Sequence, residues 1–96
     1  KLRGHKCAAM EGLIAEGEET IKEDMDPEVL DAALICAAQR VEHYEIAAYG
    51  CARTFAEMLG FADVAQLLSD SLDEESAADE MLTDIAMSQV NLAAAH

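Results

Sequence analysis

Two acidic stretches stand half-way along patterns that are otherwise apolar and helical: Glu42-His43-Tyr44-Glu45 in one, and Asp73-Glu74-Glu75-Ser76-Ala77-Ala78-Asp79 in the next. Carboxylates placed mid-way down an apolar helix either hold a cation or mark a wet face. Depth along the chain sharpens the choice. Glu45 lies 15 residues before Gly60 and Glu75 lies 15 residues after it, so a rise of about 1.5 Å per residue puts each roughly 22 Å from that break. In an antiparallel hairpin they stand level. Glu42, 18 residues before Gly60, reaches the depth of Ala78 and Asp79. Two acidic pairs would then face each other across one helix pair, which is half of a dinuclear metal site.

Three helices must position these residues. From about residue 7 to 23, Met10, Leu13, Ile14, Gly17 and Ile21 recur at the spacing of one amphipathic face. Asp26-Pro27 marks the next start: the Asp26 carboxylate can accept from exposed backbone N–H groups, and proline loses nothing at the first helical position. This second helix is expected over 27–59, ending at Gly60, because glycine takes the left-handed conformation after a helix without steric cost. The third is expected over 63–90, fading into Asn91-Leu92-Ala93-Ala94-Ala95-His96. No strand signal or short-period repeat interrupts the pattern, so the chain reads as a single all-α domain over 1–96.

Two long helices joined by about three residues are antiparallel neighbours, and each carries an apolar stripe broken by acid. Leu34, Ala38, Val41, Ala48, Ala52 and Phe55 form one. Leu68, Leu72, Leu82, Ile85 and Gln89 form the other, and its heptad passes through Glu75 and Asp79. Those two carboxylates are expected to point inward. Without a counter-cation that placement costs several kcal/mol each, or forces protonation. Arg40 and Arg53 are offset along the helix, although Arg40 can reach back toward Glu42 or its partner.

Twenty acidic residues against six basic ones give a formal charge of −14, which opposes binding to nucleic acid or anionic membranes and favours cations. Most of the twenty are expected on the solvated surface. With 52% apolar and 4% aromatic residues, and no apolar run near the roughly 20 residues of a membrane span, the composition fits a helical, cytoplasmic protein. Lys1-Leu2-Arg3-Gly4 shows no signal-peptide pattern. Cys7, Cys36 and Cys51 are odd in number and lack metal-ligand spacing, so small buried thiols are expected rather than a disulfide framework.

At these residues the chain resembles the YciE/YciF family of ferritin-like proteins. The matching stretches are Lys6-Cys7-Ala8-Ala9-Met10-Glu11-Gly12-Leu13-Ile14, Asp31-Ala32-Ala33-Leu34-Ile35, Ala38-Gln39-Arg40-Val41-Glu42-His43-Tyr44-Glu45-Ile46-Ala47, and Leu72-Asp73-Glu74-Glu75 with Ala78-Asp79. It also looks distantly like rubrerythrin, in which a Glu-x-x-Glu on the third bundle helix supplies carboxylates to a di-iron site, as Glu42 and Glu45 would here. The resemblance implies a ferritin-like helical hairpin with a short extra helix, belonging to a four-helix bundle. It further implies a stress-associated oxidase or ferroxidase role.

Two differences from that pattern bear on the chemistry. Ferritin-like sites usually take a Glu and a His three residues later from the fourth helix, whereas Ala77 and Ala78 occupy those places after Glu74 and Glu75. Asp79, four residues after Glu75, can replace the histidine and make the donor set all oxygen. The chain also matches only the second half of the family, its crossover helix and last two bundle helices. The first helix pair either precedes it in a longer protein or is replaced by a second copy.

The expected metal ligands are therefore Glu42, Glu45, Glu75 and Asp79, with Glu74 as the alternative to Glu75 if the register slips by one. His43 is turned about 100° from its neighbours on the helix, which suits a surface or inter-helix hydrogen bond better than ligation. Tyr44 and Tyr49 can hydrogen-bond to ligand carboxylates or simply pack, and Met58, Met81 and Met87 read as gap filling; His5 and His96 carry no inference. The expected cofactor is dinuclear iron serving ferroxidase or peroxide-consuming chemistry. Manganese with catalase-like chemistry is one alternative, and a metal-free acidic assembly protein is the other. Both apolar stripes exceed what a short hairpin can bury, so self-association into a dimer or larger even species is expected, with no nucleic-acid or membrane partner.

Overall fold

A computed structural model describes residues 4–95; His96 and the start of the leading Lys1-Leu2-Arg3-Gly4 segment lie outside them. The described chain runs as α1 (Ala8–Lys22), α2 (Pro27–Met58), α3 (Ala62–Ile85), a π-helical turn (Ala86–Val90) and a short α4 (Asn91–Ala94). No strand occurs among the described residues. Helices α2 and α3 form the antiparallel hairpin, and α1 folds back along the N-terminal half of α2. Two contacts fix α1 there: Arg40 pairs with Glu16 at 3.4 Å, rather than with Glu42, and the Tyr44 hydroxyl meets the Cys7 sulfur at 2.8 Å.

The hairpin turn follows from one residue. Gly60 has φ +80°, a left-handed conformation that side chains with a Cβ resist. Its N–H donates to the Glu57 carbonyl at 3.1 Å, and the Phe61 N–H donates to the Ala56 carbonyl at 2.8 Å. These are the two reversed bonds of a Schellman ending, which satisfy carbonyls that the helix leaves free.

Two local expectations need correction, and the cap of α1 is a further local feature. Pro27 opens α2, but the Asp26 side chain makes no capping hydrogen bond; its backbone carbonyl instead accepts from the Leu30 N–H at 2.9 Å. Helix α1 is capped by Cys7, whose sulfur accepts from the Met10 N–H at 3.5 Å. The third helix is not continuous to residue 90: α-helix ends at Ile85, and the Asn91 N–H reaches back five residues to the Ala86 carbonyl. Apolar periodicity does not register one extra residue in a turn, so no sequence feature marked it.

The packing is a single layer, 53 × 31 × 14 Å, with a radius of gyration of 16.7 Å against about 12.5 Å for a compact chain of this length. A thickness of 14 Å is little more than one helix with its side chains. Among the described residues the buried hydrophobic ones are accordingly three alanines, Ala56, Ala65 and Ala86, all along the contact of α2 with α3 and its extension. Cys7, Cys36 and Cys51 are free as expected but exposed rather than buried. The stripes split as well. Met10, Leu13 and Gly17 are half-buried while Ile14 and Ile21 face outward; Phe55, Ile85 and Gln89 are likewise exposed. Among the described residues no helix is long and apolar enough to cross a membrane.

Adding a Cβ at Gly60 meets nothing within 4 Å, so the only cost of Gly60→Ala is the backbone conformation. Urea denaturation is expected to show a loss on the order of 1 kcal/mol, whereas Gly12→Ala, in the middle of α1, is expected to stabilise.

Candidate metal centre

The seam between α2 and α3 repeats every three and four residues. Helix α2 contributes Ile35, Ala38, Gln39, Glu42, Glu45, Tyr49 and Ala52, and α3 contributes Leu68, Leu72, Glu75, Asp79, Leu82 and Thr83, all half-buried. At mid-length the apolar character stops and acids take the seam positions. One carboxylate oxygen from each of Glu42, Glu45 and Glu75 lies within 4.8 Å of the others. Glu75 bridges the group, reaching Glu45 at its own level and Glu42 one turn away. Glu74 is exposed, so the register is that of Glu75.

Three like charges at this spacing repel, and their pKa values respond. Glu75 is raised above the ordinary carboxylate range, first by a proton shared with Glu42 and then by desolvation, with Glu45 opposing. Glu45 is raised by its hydrogen bond with Glu75, by desolvation and by the Glu75 charge. The crowding is also visible in unmet hydrogen bonding. Oε2 of Glu42 is inaccessible to solvent and has no hydrogen-bond partner. A buried, unpartnered carboxylate oxygen facing two more carboxylates is the environment a divalent cation resolves.

Asp79 is level with this group but turned to different partners. Its Oδ1 lies 3.0 Å from Nε2 of His43 and 3.3 Å from Nε2 of Gln39, which also donates to Oγ1 of Thr83 at 2.7 Å. His43 therefore makes an inter-helix contact with the residue expected as a fourth ligand. Gln39 went unnoticed in the sequence. Its signal was a polar residue three before Glu42 on the same face. Tyr44 points away from the carboxylates toward Cys7, where their hydrogen bond lowers the pKa of the Cys7 thiol and raises that of the tyrosine. Tyr49 is half-buried in the seam, one turn from Glu45.

Residues 1–95 match the family model described as a domain of unknown function, DUF892. The chain belongs to this family. Protein YciF of Escherichia coli (strain K12) is 55% identical over 91 residues, which cover 95% of the chain and 55% of that protein. The crystal structure of the E. coli stress protein YciF superposes with a TM-score of 0.89 at 55% identity, covering 95% of this chain and 57% of that one. YcfI from Rhodopseudomonas palustris, to which a structural role is ascribed, superposes with a TM-score of 0.81 at 48% identity, covering 86% and 53%. The chain therefore spans about half the length of the relatives it matches. The DUF892 relationship shows the helical fold; the carboxylate cluster is read from this chain's own geometry.

Because Glu45 and Glu75 carry raised pKa values, the folded metal-free chain binds protons that the unfolded chain has already released. Their contribution is favourable at acid pH and is lost as pH rises from the ordinary glutamate range through the raised values. The metal-free melting temperature is expected to rise between pH 7 and about pH 5. Glu75→Gln is expected to raise stability at pH 7 by on the order of 1 kcal/mol and flatten that dependence, while Glu18→Gln, exposed on α1, leaves both unchanged. Thermal melts across this range check it.

Proposed function

We propose that Glu42, Glu45 and Glu75 are one half of a dinuclear metal centre, and that this DUF892 chain is a di-iron carboxylate protein acting on dioxygen or peroxide in a stress response. The observation that carries the reading is the buried, unpartnered oxygen of Glu42 set within 4.8 Å of two further carboxylates. Hard carboxylate oxygens at half-buried positions suit Fe(II) and Mn(II). When bound, a pair of iron ions would supply the electrons that reduce dioxygen or peroxide.

The chain's own groups have separable roles in this reading. Glu75, between the other two, is the bridging donor, and Glu42 and Glu45 hold it from two successive turns of α2. Asp79 does not join them in the metal-free arrangement; the hydrogen bond from Gln39 and the contact with His43 hold its carboxylate beside the cluster. Ala52 and Leu72 flank the acids along the seam and limit water there. That the E. coli relative is a stress protein agrees with a role in handling iron or oxidants, in a cytoplasmic setting. Three carboxylates from one chain underfill two metals, so the centre is completed from outside this hairpin.

Fe(II) added anaerobically, or Mn(II), is expected to bind at two ions per completed site and to raise the melting temperature, because the unfolded chain offers no preformed cluster. Mg(II) is expected to do much less. Glu75→Gln removes the effect. Identical melts with iron, manganese and chelator return the chain to a metal-free, acidic assembly role.

A further inference from the structure

One side chain of α2 holds two residues of α3 at once. The amide nitrogen of Gln39 faces three oxygens: Oγ1 of Thr83 at 2.7 Å, Oδ1 of Asp79 at 3.3 Å and the Asp79 backbone carbonyl at 3.4 Å. A carboxylate and a carbonyl only accept, so the end turned toward them is the NH2 group, which has two N–H bonds to share among three acceptors. The short contact with Thr83 takes one. The other is divided between the two oxygens of Asp79. Gln39, Asp79 and Thr83 are all half-buried in the seam, where water competes less for such bonds and they restrain more.

The restrained carboxylate stands one turn from the cluster. Asp79 follows Glu75 by four residues, so the two share a face of α3, and its depth is that of Glu42: 19 residues after Gly60 against 18 before it. Oε2 of Glu42, on the facing helix, is the buried oxygen without a partner. Asp79 nevertheless stays out of the group whose oxygens converge within 4.8 Å, which among the described residues holds Glu42, Glu45 and Glu75. Its Oδ1 is engaged by Gln39 and lies 3.0 Å from Nε2 of His43. Gln39 is further anchored on α3 itself, through Thr83, one turn beyond Asp79. A donor tied in this way cannot follow the Asp79 carboxylate toward Glu42 without giving up Thr83.

This restraint acts with opposite sign on two states. Glu45 and Glu75 already lie above the ordinary carboxylate range through their mutual contacts and desolvation, and a fourth acid among them adds repulsion in the metal-free chain. With a divalent cation present, the same acid adds a donor and a charge. We propose that Gln39 is a positioning residue that holds Asp79 off the carboxylate cluster, which fixes the donor set of this half-site at three glutamates, favours the metal-free fold and weakens divalent-cation binding. The proposal rests on the metal-site reading above. Gln39 touches no metal in it and acts through Asp79, with Thr83 fixing the amide.

Calorimetric titration of the 96-residue chain with Mn(II), alongside metal-free thermal melts, tests this. Gln39→Leu keeps most of the volume and removes the donor. It is expected to lower the metal-free melting temperature and to tighten Mn(II) binding about tenfold, because a freed Asp79 adds one charged donor. A glutamine that merely supported the seam would weaken both. Thr83→Val, which leaves the amide in place but unanchored, is expected to tighten Mn(II) binding in the same direction. Asp79→Asn alone is expected to stay within about threefold of the parent affinity, and Gln39→Leu/Asp79→Asn to return to it, which places the gain on Asp79. In the metal-free chain, Gln39, Gln66, Gln89 and Asn91 are the side-chain amides seen by nitrogen-15 NMR. The signal pair lost in Gln39→Leu is expected to shift in both Thr83→Val and Asp79→Asn. Mn(II) binding that is unchanged or weakened in Gln39→Leu, or weakened about tenfold by Asp79→Asn alone, overturns the proposal and leaves the metal reading standing. A Gln39 signal indifferent to both neighbours overturns it as well. No Mn(II) uptake by the parent and by Gln39→Leu alike overturns the metal reading, and the proposal with it.

Discussion

Repulsion among three half-buried glutamates at the middle of a helical seam is the constraint around which the rest of this chain is arranged. Glu42, Glu45 and Glu75 occupy positions where the repeat of α2 and α3 elsewhere places Leu, Ile and Ala. Burying acids there leaves one oxygen of Glu42 without a partner and raises the pKa of Glu45 and Glu75. A seam built for stability alone would not carry them, since apolar residues of similar volume would pack without the desolvation cost. Neighbouring groups take Asp79 out of the conflict: a hydrogen bond from Gln39 and the contact with His43 hold it to one side, so the crowding is confined to three groups.

A hairpin whose central positions are acidic gains little from its own seam, and the buried residues among those described are alanines. Small residues let α2 and α3 approach closely, which brings the carboxylates together, but they contribute little apolar burial. Ile35, Leu68, Leu72 and Leu82 are half-buried in the seam, whereas Phe55, Val64, Leu67 and Ile85 stand exposed outside it.

Relatives of about twice the covered length place this hairpin in a wider context. Identity of 55% and a TM-score of 0.89 over 95% of the chain mean that the hairpin and its crossover helix keep their geometry in the longer E. coli protein. The two-helix unit is thus a reusable layer, and the charge at its centre is what makes the identity of its covering layer matter chemically.

The sequence by itself determined the elements and the depth of the acids. Pro27 and Gly60 punctuate the long helices through backbone sterics, and both hold regardless of surroundings. The equal distance of Glu45 and Glu75 from Gly60 fixed their meeting through helical rise alone. Tertiary structure decided what depended on direction around the helix axis. Asp79 turned to Gln39 and His43, Tyr44 turned to Cys7, and Glu75 rather than Glu74 faced the seam, because a shift of one residue rotates a side chain by about 100° and periodicity does not resolve that. It also decided that the cysteines are exposed and that α3 ends in a π-helical turn at Ala86. Both depend on how the helices lie against one another, which periodicity along a single helix does not encode.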